Sequence, residues 1–211
     1  TDAESANILK LTREWAAEHK IANFYDQQGI CHVVTPERGH LRPGMFAVGG
    51  DSHSPTGGAF GSYMFGIGAT DMLGVLVTGE TWIKVPDTIR IIWTGSFGEG
   101  VAAKDMALKM SATLGMDGGG YQAVQYSGDT IENLEMMERM TLCNMAAELG
   151  AQTGIIEPDE TTAAYVTAAG GEPGDWQAFR SDTDAKYKIP HEFEAADLAP
   201  QVAAPHSPAN A

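Results

Sequence analysis

The sequence predicts an α/β fold in which short buried strands alternate with helices in stacked layers. Three observations predict it. Short runs rich in β-branched and aromatic residues, bounded by glycine and proline, are typical of strands joined by turns. Longer segments between these runs carry apolar residues at helical spacing. Of the 211 residues, 43% are hydrophobic, so the chain can bury a sizeable core.

Helical periodicity predicts five helices. The first begins near Ser5, its expected N-cap, and Trp15 lies on its apolar face. The clearest pattern predicts one long helix between Asp129, the expected N-cap, and Gly150, the expected stop. Its methionines are expected to fill the core rather than to hold a cofactor. The predicted helices cover residues 5–20, 70–80, 103–115, 129–150 and 159–170.

Strand-like runs are shorter and include a pair separated by Pro86. Beyond residue 170 the periodicity fades into proline, aspartate and alanine, which predicts an irregular segment over 171–211. We therefore predict an α/β core over 1–170. A division of this core into two subdomains near 95–128 is the alternative. The predicted strands lie at 24–25, 30–34, 45–50, on both sides of Pro86 within 81–95, and at 121–128.

Charge argues against nucleic-acid or membrane partners. The chain has 13 Lys plus Arg and 28 Asp plus Glu, and its net charge of −15 repels phosphate backbones and anionic lipid surfaces. Apolar runs such as MLGVLV at 72–77 are too short to span a bilayer, and the first residues lack a signal-peptide pattern. We therefore expect a folded cytoplasmic protein.

The two cysteines, Cys31 and Cys143, are far apart in the sequence. Neither belongs to a CxxC motif or a Cys/His pair, so a structural zinc site is not expected. Each is predicted to be a small buried hydrophobic residue.

Three separated segments supply polar side chains with catalytic chemistry. In a strand over 30–34, His32 would share a face with Ile30 and Val34, where a hydrogen-bonded core histidine is the alternative explanation. Asp51 and His53 would share a face at the end of strand 45–50, beside glycines that let a ligand approach the backbone.

The third segment is the long predicted helix, where Asn144 and Glu148 are four residues apart and would lie on one face. A solvated surface pair is the alternative explanation. Two imidazoles and two carboxylates together allow two carboxylate–histidine pairs, in which each acid sets the tautomer of its ring. This arrangement suits proton transfer near a metal or an anionic substrate.

Other chemistries fit the sequence less well. A serine-protease-like triad is excluded on the expectation that the adjacent Ser52 and His53 side chains diverge. The glycine-rich stretch lacks the GK[ST] ending of a P-loop and the register of a dinucleotide-binding turn. A mononuclear metal site for hydrolysis, built from the same two histidines and two carboxylates, remains an alternative.

Three stretches in the right order resemble the aconitase family, and the resemblance extends over essentially the whole chain. They are GICHVVTPERGHLRPGMFAVGGDSHSPTGGAFGSYMFGIGATD, MTLCNMAAELGAQTGIIEPDE and the terminal APQVAAPHSPAN. Within the family the sequence is most similar to the large subunits of 3-isopropylmalate dehydratase and of its homoaconitase relatives. The resemblance implies a three-layer α/β fold and a role in amino-acid biosynthesis, such as that of leucine.

These enzymes are hydro-lyases that remove water from a hydroxy di- or tricarboxylic acid and add it back, with a [4Fe-4S] cluster as Lewis acid. The resemblance implies that His32 pairs with Asp51 and that His53 pairs with Glu148. It further implies that Ser52 donates a hydrogen bond to a substrate carboxylate, and that Asn144 lies beside the cluster.

The sequence also departs from the family pattern. The family's Gly-Ser-Cys-Thr-Asn type motif and its later cysteines are absent, so no metal ligand is expected in this chain. An upstream Asp-His pair is absent too, as are the arginines and the serine base of the swivelling domain or small subunit. The resemblance therefore implies part of a large subunit, completed by its remainder and by a small subunit. It also implies that residues 171–211 lead to a further, cluster-binding region. A non-catalytic scaffold that keeps the fold is the alternative, and the sequence does not choose the hydroxy acid.

Overall fold

The computed structural model describes residues 2–211. These residues form seven α-helices and six β-strands, with four short 3₁₀ helices between them. The helices are α1 (Ala3–Glu18), α2 (Cys31–Glu37), α3 (Ala69–Thr78), α4 (Ala103–Leu114), α5 (Asp129–Glu132), α6 (Met136–Asn144) and α7 (Glu160–Ala168). The strands are β1 (Phe46–Gly49), β2 (Tyr63–Gly66), β3 (Thr88–Thr94), β4 (Ala123–Ser127), β5 (Thr153–Ile156) and β6 (Pro190–Glu194). The 3₁₀ helices are Ser54–Phe60, Trp176–Phe179, Ala195–Asp197 and Pro208–Asn210.

Two parallel sheets confirm the predicted α/β class. The larger has the strand order β5-β4-β3-β6, and the smaller pairs β1 with β2. In the larger sheet Ile91 is in register with Tyr126, and Tyr126 with Ile156, so these three buried side chains share one face. A parallel sheet is covered on both faces, because its crossover connections place helices and loops over it.

Buried Arg139 joins the elements that carry the sheet's connections. Its guanidinium makes a two-pronged contact with Asp159, at 2.8 and 2.7 Å, and donates to the carbonyl oxygens of Leu134 and Glu132. Burial acts to raise the pKa of Asp159, but the hydrogen bonds from Arg139 and Thr162 outweigh it and lower that pKa. The start of α6 is therefore fixed against the start of α7.

The prediction of one long helix over 129–150 is wrong, because the structure interrupts the helix after Glu132 and ends it at Asn144. Arg139 takes the carbonyls of Glu132 and Leu134, and Glu135 begins a new helix with a capping box from Glu138. After Asn144 the chain continues in turns as far as residue 150. Gly128 is the N-cap of α5, and the Asp129 carboxylate instead accepts the N–H of Gly95.

Local propensity also misleads in the N-terminal third of the chain. Residues 30–34 form the start of α2 rather than a strand, with His32 and Val34 buried while Ile30 is 54% exposed. Packing has overridden the β-branched composition there. Residues 24–25 and 81–86 are irregular, and α1 is capped by Asp2, whose carboxylate accepts the N–H of Ser5.

The expectation of an irregular C-terminal segment is wrong for residues 190–198. Strand β6 pairs with β3, and Phe193 stacks on Trp93 with ring centroids 4.7 Å apart. Ala195 and Leu198 then enter the core. Strands β2 and β5, of four residues each, were also missed. The domain boundary at 170 stays a prediction.

The other predicted elements, α1, α3, α4, α7, β1, β3 and β4, are present within a few residues of their expected bounds. Within residues 2–211 no helix combines the length and the apolar character that crossing a membrane requires.

Candidate active site

The segment that follows β1 folds into a turn around Asp51. Its carboxylate accepts the backbone N–H of His53 at 2.7 Å, and its carbonyl accepts the hydroxyl of Ser54 at 2.7 Å. In turns, an aspartate carboxylate commonly accepts the backbone N–H of the residue two positions later. Gly66 of β2 lets the turn pack closely, since a Cβ there would lie 2.5 Å from the Asp51 carbonyl oxygen.

Helix α2 places His32 against this turn. His32 Nδ1 is 3.2 Å from Asp51 Oδ1, and the ring is almost fully buried. Burial lowers the pKa of His32, and the nearby His53 acts in the same direction, while the Asp51 charge opposes both. The neutral imidazole is therefore favoured, and Asp51 can accept its Nδ1 proton.

His53 lies between Glu148 and Ser52. Its Nε2 is 3.4 Å from Glu148 Oε1, and its Nδ1 is 3.1 Å from Ser52 Oγ. The expectation that Ser52 and His53 diverge is therefore wrong, because the turn rotates both side chains to the same side. The His32 and His53 ring centroids are 6.1 Å apart, so the two imidazoles lie next to each other.

Asn144 and Glu148 reach the site by a different route from the one predicted. Helix α6 ends at Asn144, and Glu148 lies in the turns beyond it. The Asn144 amide donates to Thr56 Oγ1 at 3.0 Å, and that hydroxyl donates to the carbonyl of His53 at 2.7 Å. This chain of hydrogen bonds fixes the end of α6 against the histidine turn.

Two cavities flank the histidines. One, of about 230 Å³, is lined in part by His32 and Thr56. The other, of about 500 Å³, is lined in part by His53, Glu148 and residues 203–208. Three residues line both: Lys104, Asn144 and Met145.

The sequence analysis missed Thr56, Lys104 and the segment 203–208. A signal was available for Lys104, because a cation in the first turn of a helix opposes the helix dipole.

The described residues do not fit the ligand set of an iron–sulfur cluster. Cys143 is fully buried, and burial raises the pKa of its thiol. Cys31 is exposed, contrary to expectation, with its sulfur 4.0 Å from His32 Nδ1. Over residues 2–211, no three His, Cys, Asp or Glu side chains converge to hold a metal ion, which leaves the mononuclear alternative without a ligand set there.

Comparison with known proteins shows the family to which the chain belongs. The model of the aconitase family (aconitate hydratase) matches residues 1–211. The chain is 46% identical over 208 residues to 3-isopropylmalate dehydratase large subunit 1 of Methanopyrus kandleri, covering 98% of this chain and 49% of that one. It is 48% identical over 202 residues to a probable methanogen homoaconitase large subunit of Methanothermobacter thermautotrophicus, covering 95% and 47%.

A third relative is the 3-isopropylmalate dehydratase large subunit of Aquifex aeolicus, 40% identical over 210 residues, with 99% and 48% of the two chains covered. The chain spans about half the length of these relatives. Since the family model matches the full chain and the relatives align over nearly all of it, the chain belongs to the aconitase family.

Proposed function

We propose that this chain forms the wall of a hydro-lyase active site that handles substrate and water. The reaction is the reversible dehydration and hydration of a hydroxy di- or tricarboxylic acid, as in a 3-isopropylmalate dehydratase large subunit. The observation that carries the proposal is the pair of carboxylate–histidine contacts, His32 with Asp51 and His53 with Glu148, whose rings lie 6.1 Å apart.

Each side chain has a defined task in this reaction. Asp51 and Glu148 orient the rings and select their tautomers. In the tautomer that carries its proton on Nε2, the nitrogen nearest Glu148, the Nδ1 of His53 can accept a hydrogen bond from the Ser52 hydroxyl or from a substrate group. The histidines then exchange a proton with the departing hydroxyl or the entering water, a contribution of about 10² to 10⁴ in rate.

Ser52 is assigned to the substrate and Asn144 to the neighbourhood of the cofactor. We assign Ser52 to a substrate carboxylate. Its hydroxyl donates to that carboxylate once the hydrogen bond between Ser52 and His53 Nδ1 is broken. Asn144, held by Thr56, would lie beside the cofactor.

The complete enzyme needs parts that the described residues do not supply. We infer a [4Fe-4S] cluster, held by cysteines elsewhere in the complete protein, as the Lewis acid of the reaction. The relatives are named large subunits, which supports a small subunit and the remainder of the large subunit as partners. We propose a cytoplasmic location and no nucleic-acid or membrane partner, in keeping with the net charge of −15.

The test is an activity assay of the completed assembly. The chain, joined to the remaining large-subunit region and the small subunit, is supplied with 3-isopropylmalate and homocitrate, and formation of the unsaturated product is followed by ultraviolet absorbance. The double variant Asp51→Asn, His53→Ala should lower kcat at least about a hundredfold. The control, Asp71→Asn with His19→Ala, makes the same chemical changes outside the site and should leave kcat unchanged.

Two results would contradict the proposal. Full activity in the Asp51, His53 variant would show that the site assignment is wrong. An assembly that binds its cluster and both subunits, yet dehydrates neither substrate, would favour a non-catalytic scaffold.

A further inference from the structure

We propose that Lys104 and the segment 203–208 form a carboxylate-binding subsite beside the histidine pair. The inference rests on the proposed function, whose substrate it assigns to a particular position. Lys104 lines both cavities that flank the histidines, and His206 and Ser207 also line the larger one. None of these three residues was expected to take part in the chemistry.

The acidic groups of the site favour a compensating cation nearby. Asp51 and Glu148 lie at the histidines, and the chain as a whole carries a net charge of −15. A dicarboxylate would be repelled from such a surface unless a positive side chain compensated. Lys104 is the only Lys or Arg that lines either flanking cavity in the described part of the chain.

The ammonium group of Lys104 is free to take this role. In residues 2–211 no carboxylate lies within 4.0 Å of its Nζ. Its close contact is the sulfur of Met145 at 3.2 Å, a weak acceptor that a carboxylate oxygen would readily replace. Lys104 also lies in the first turn of α4, where the helix dipole disfavours a cation, so its placement does not serve the stability of the helix.

Asp105 holds in place the C-terminal segment that lines the larger cavity. One oxygen of this carboxylate accepts the N–H of Ala102 at 2.8 Å, and the other accepts the N–H of Gln201 at 2.7 Å. The start of α4 and the C-terminal segment are thereby held together.

Beyond Gln201 the segment supplies one hydroxyl suited to an anion, next to a residue with a strained backbone. His206 has a left-handed backbone (φ 89°), a strained conformation that recurs at binding sites. The Ser207 oxygen accepts the N–H of Ala209 at 3.2 Å, which leaves its proton available to donate. The subsite therefore offers an ammonium group and a hydroxyl across a cavity of about 500 Å³.

The experiment measures binding of L-malate, a hydroxy dicarboxylate, by titration calorimetry. The protein is the completed assembly, in which this chain is joined to the remaining large-subunit region and the small subunit. Lys104→Gln should weaken malate binding at least about tenfold, the effect of losing one charge-assisted hydrogen bond. Lys104→Arg should retain binding within about threefold, because the cation remains. Lys109→Gln is the matched control, since it removes the same charge from an exposed position of the same helix and should change binding less than about twofold.

Several outcomes would overturn the subsite. They are the absence of saturable malate binding to the unaltered assembly, equal losses in the Lys104 and Lys109 variants, and inorganic phosphate binding as tightly as malate. The readout is separate from catalysis. An inactive assembly whose chain still binds malate through Lys104 would refute the proposed reaction alone, whereas an active assembly with an unchanged KM in Lys104→Gln would refute the subsite alone.

Discussion

Replacing Arg139 with leucine should remove a large part of the stability of this fold. The guanidinium is fully buried and makes four hydrogen bonds, two to Asp159 and one each to the carbonyls of Leu134 and Glu132. Breaking a buried ion pair from one side costs about 3–5 kcal/mol. Because the Asp159 side chain is 26% exposed and water can solvate it, we expect a value near the lower end, about 3 kcal/mol.

Urea denaturation followed by circular dichroism measures this loss. With m about 2 kcal/mol per molar urea, a loss of 3 kcal/mol lowers the midpoint by about 1.5 M. Arg180→Leu is the matched control, since its contact with Glu157 is exposed and 3.4 Å long, and such pairs contribute about 0–1 kcal/mol.

A loss below about 1 kcal/mol in Arg139→Leu would refute the reasoning, since the desolvated pair would then have no net value. The pH dependence gives an independent check. The pKa of Asp159 is lowered in the fold, so its contribution is present above its unfolded value of about 3.9 and is lost as the pH falls through the folded value. The difference between the variant and the unaltered protein should therefore shrink in acid.

Two further predictions concern the site. NMR titration should give His32 a pKa below the ordinary histidine value of about 6.5. The contribution of His32 to folding stability is therefore present above a pH of about 6.5 and is lost as the pH falls towards the pKa of the folded state. Asp51→Asn should lower this pKa further because it removes the opposing charge, and an increase would contradict the assigned contact. Iodoacetamide at neutral pH should alkylate exposed Cys31 and leave buried Cys143 unmodified, as read by mass spectrometry, until urea unfolds the chain; equal modification of both in the native state would contradict the burial.

Much of the candidate site could be predicted from sequence, but the elements that carry it could not. The family resemblance implied that His32 pairs with Asp51 and that His53 pairs with Glu148. The structure places the two atoms of each pair 3.2 and 3.4 Å apart. Yet His32 lies on a helix where a strand was predicted, and Glu148 lies in a turn where a helix was predicted. The resemblance still named these residues, because a motif match does not depend on the predicted secondary structure.

The sequence by itself determined the α/β class, the segments α4, β3 and β4, and the acidic charge, because each follows from local periodicity or from composition. Tertiary structure decided the rest. The long helix breaks because Arg139, folded back onto Asp159, takes the carbonyls of Glu132 and Leu134.

Strand β6 exists because β3 offers it a free edge and Trp93 offers Phe193 a stacking partner about a hundred residues away in the chain. The C-terminal segment lines a cavity with Lys104 because Asp105 holds that segment against α4. In each case the deciding partner is distant in the sequence, and no local pattern records its presence.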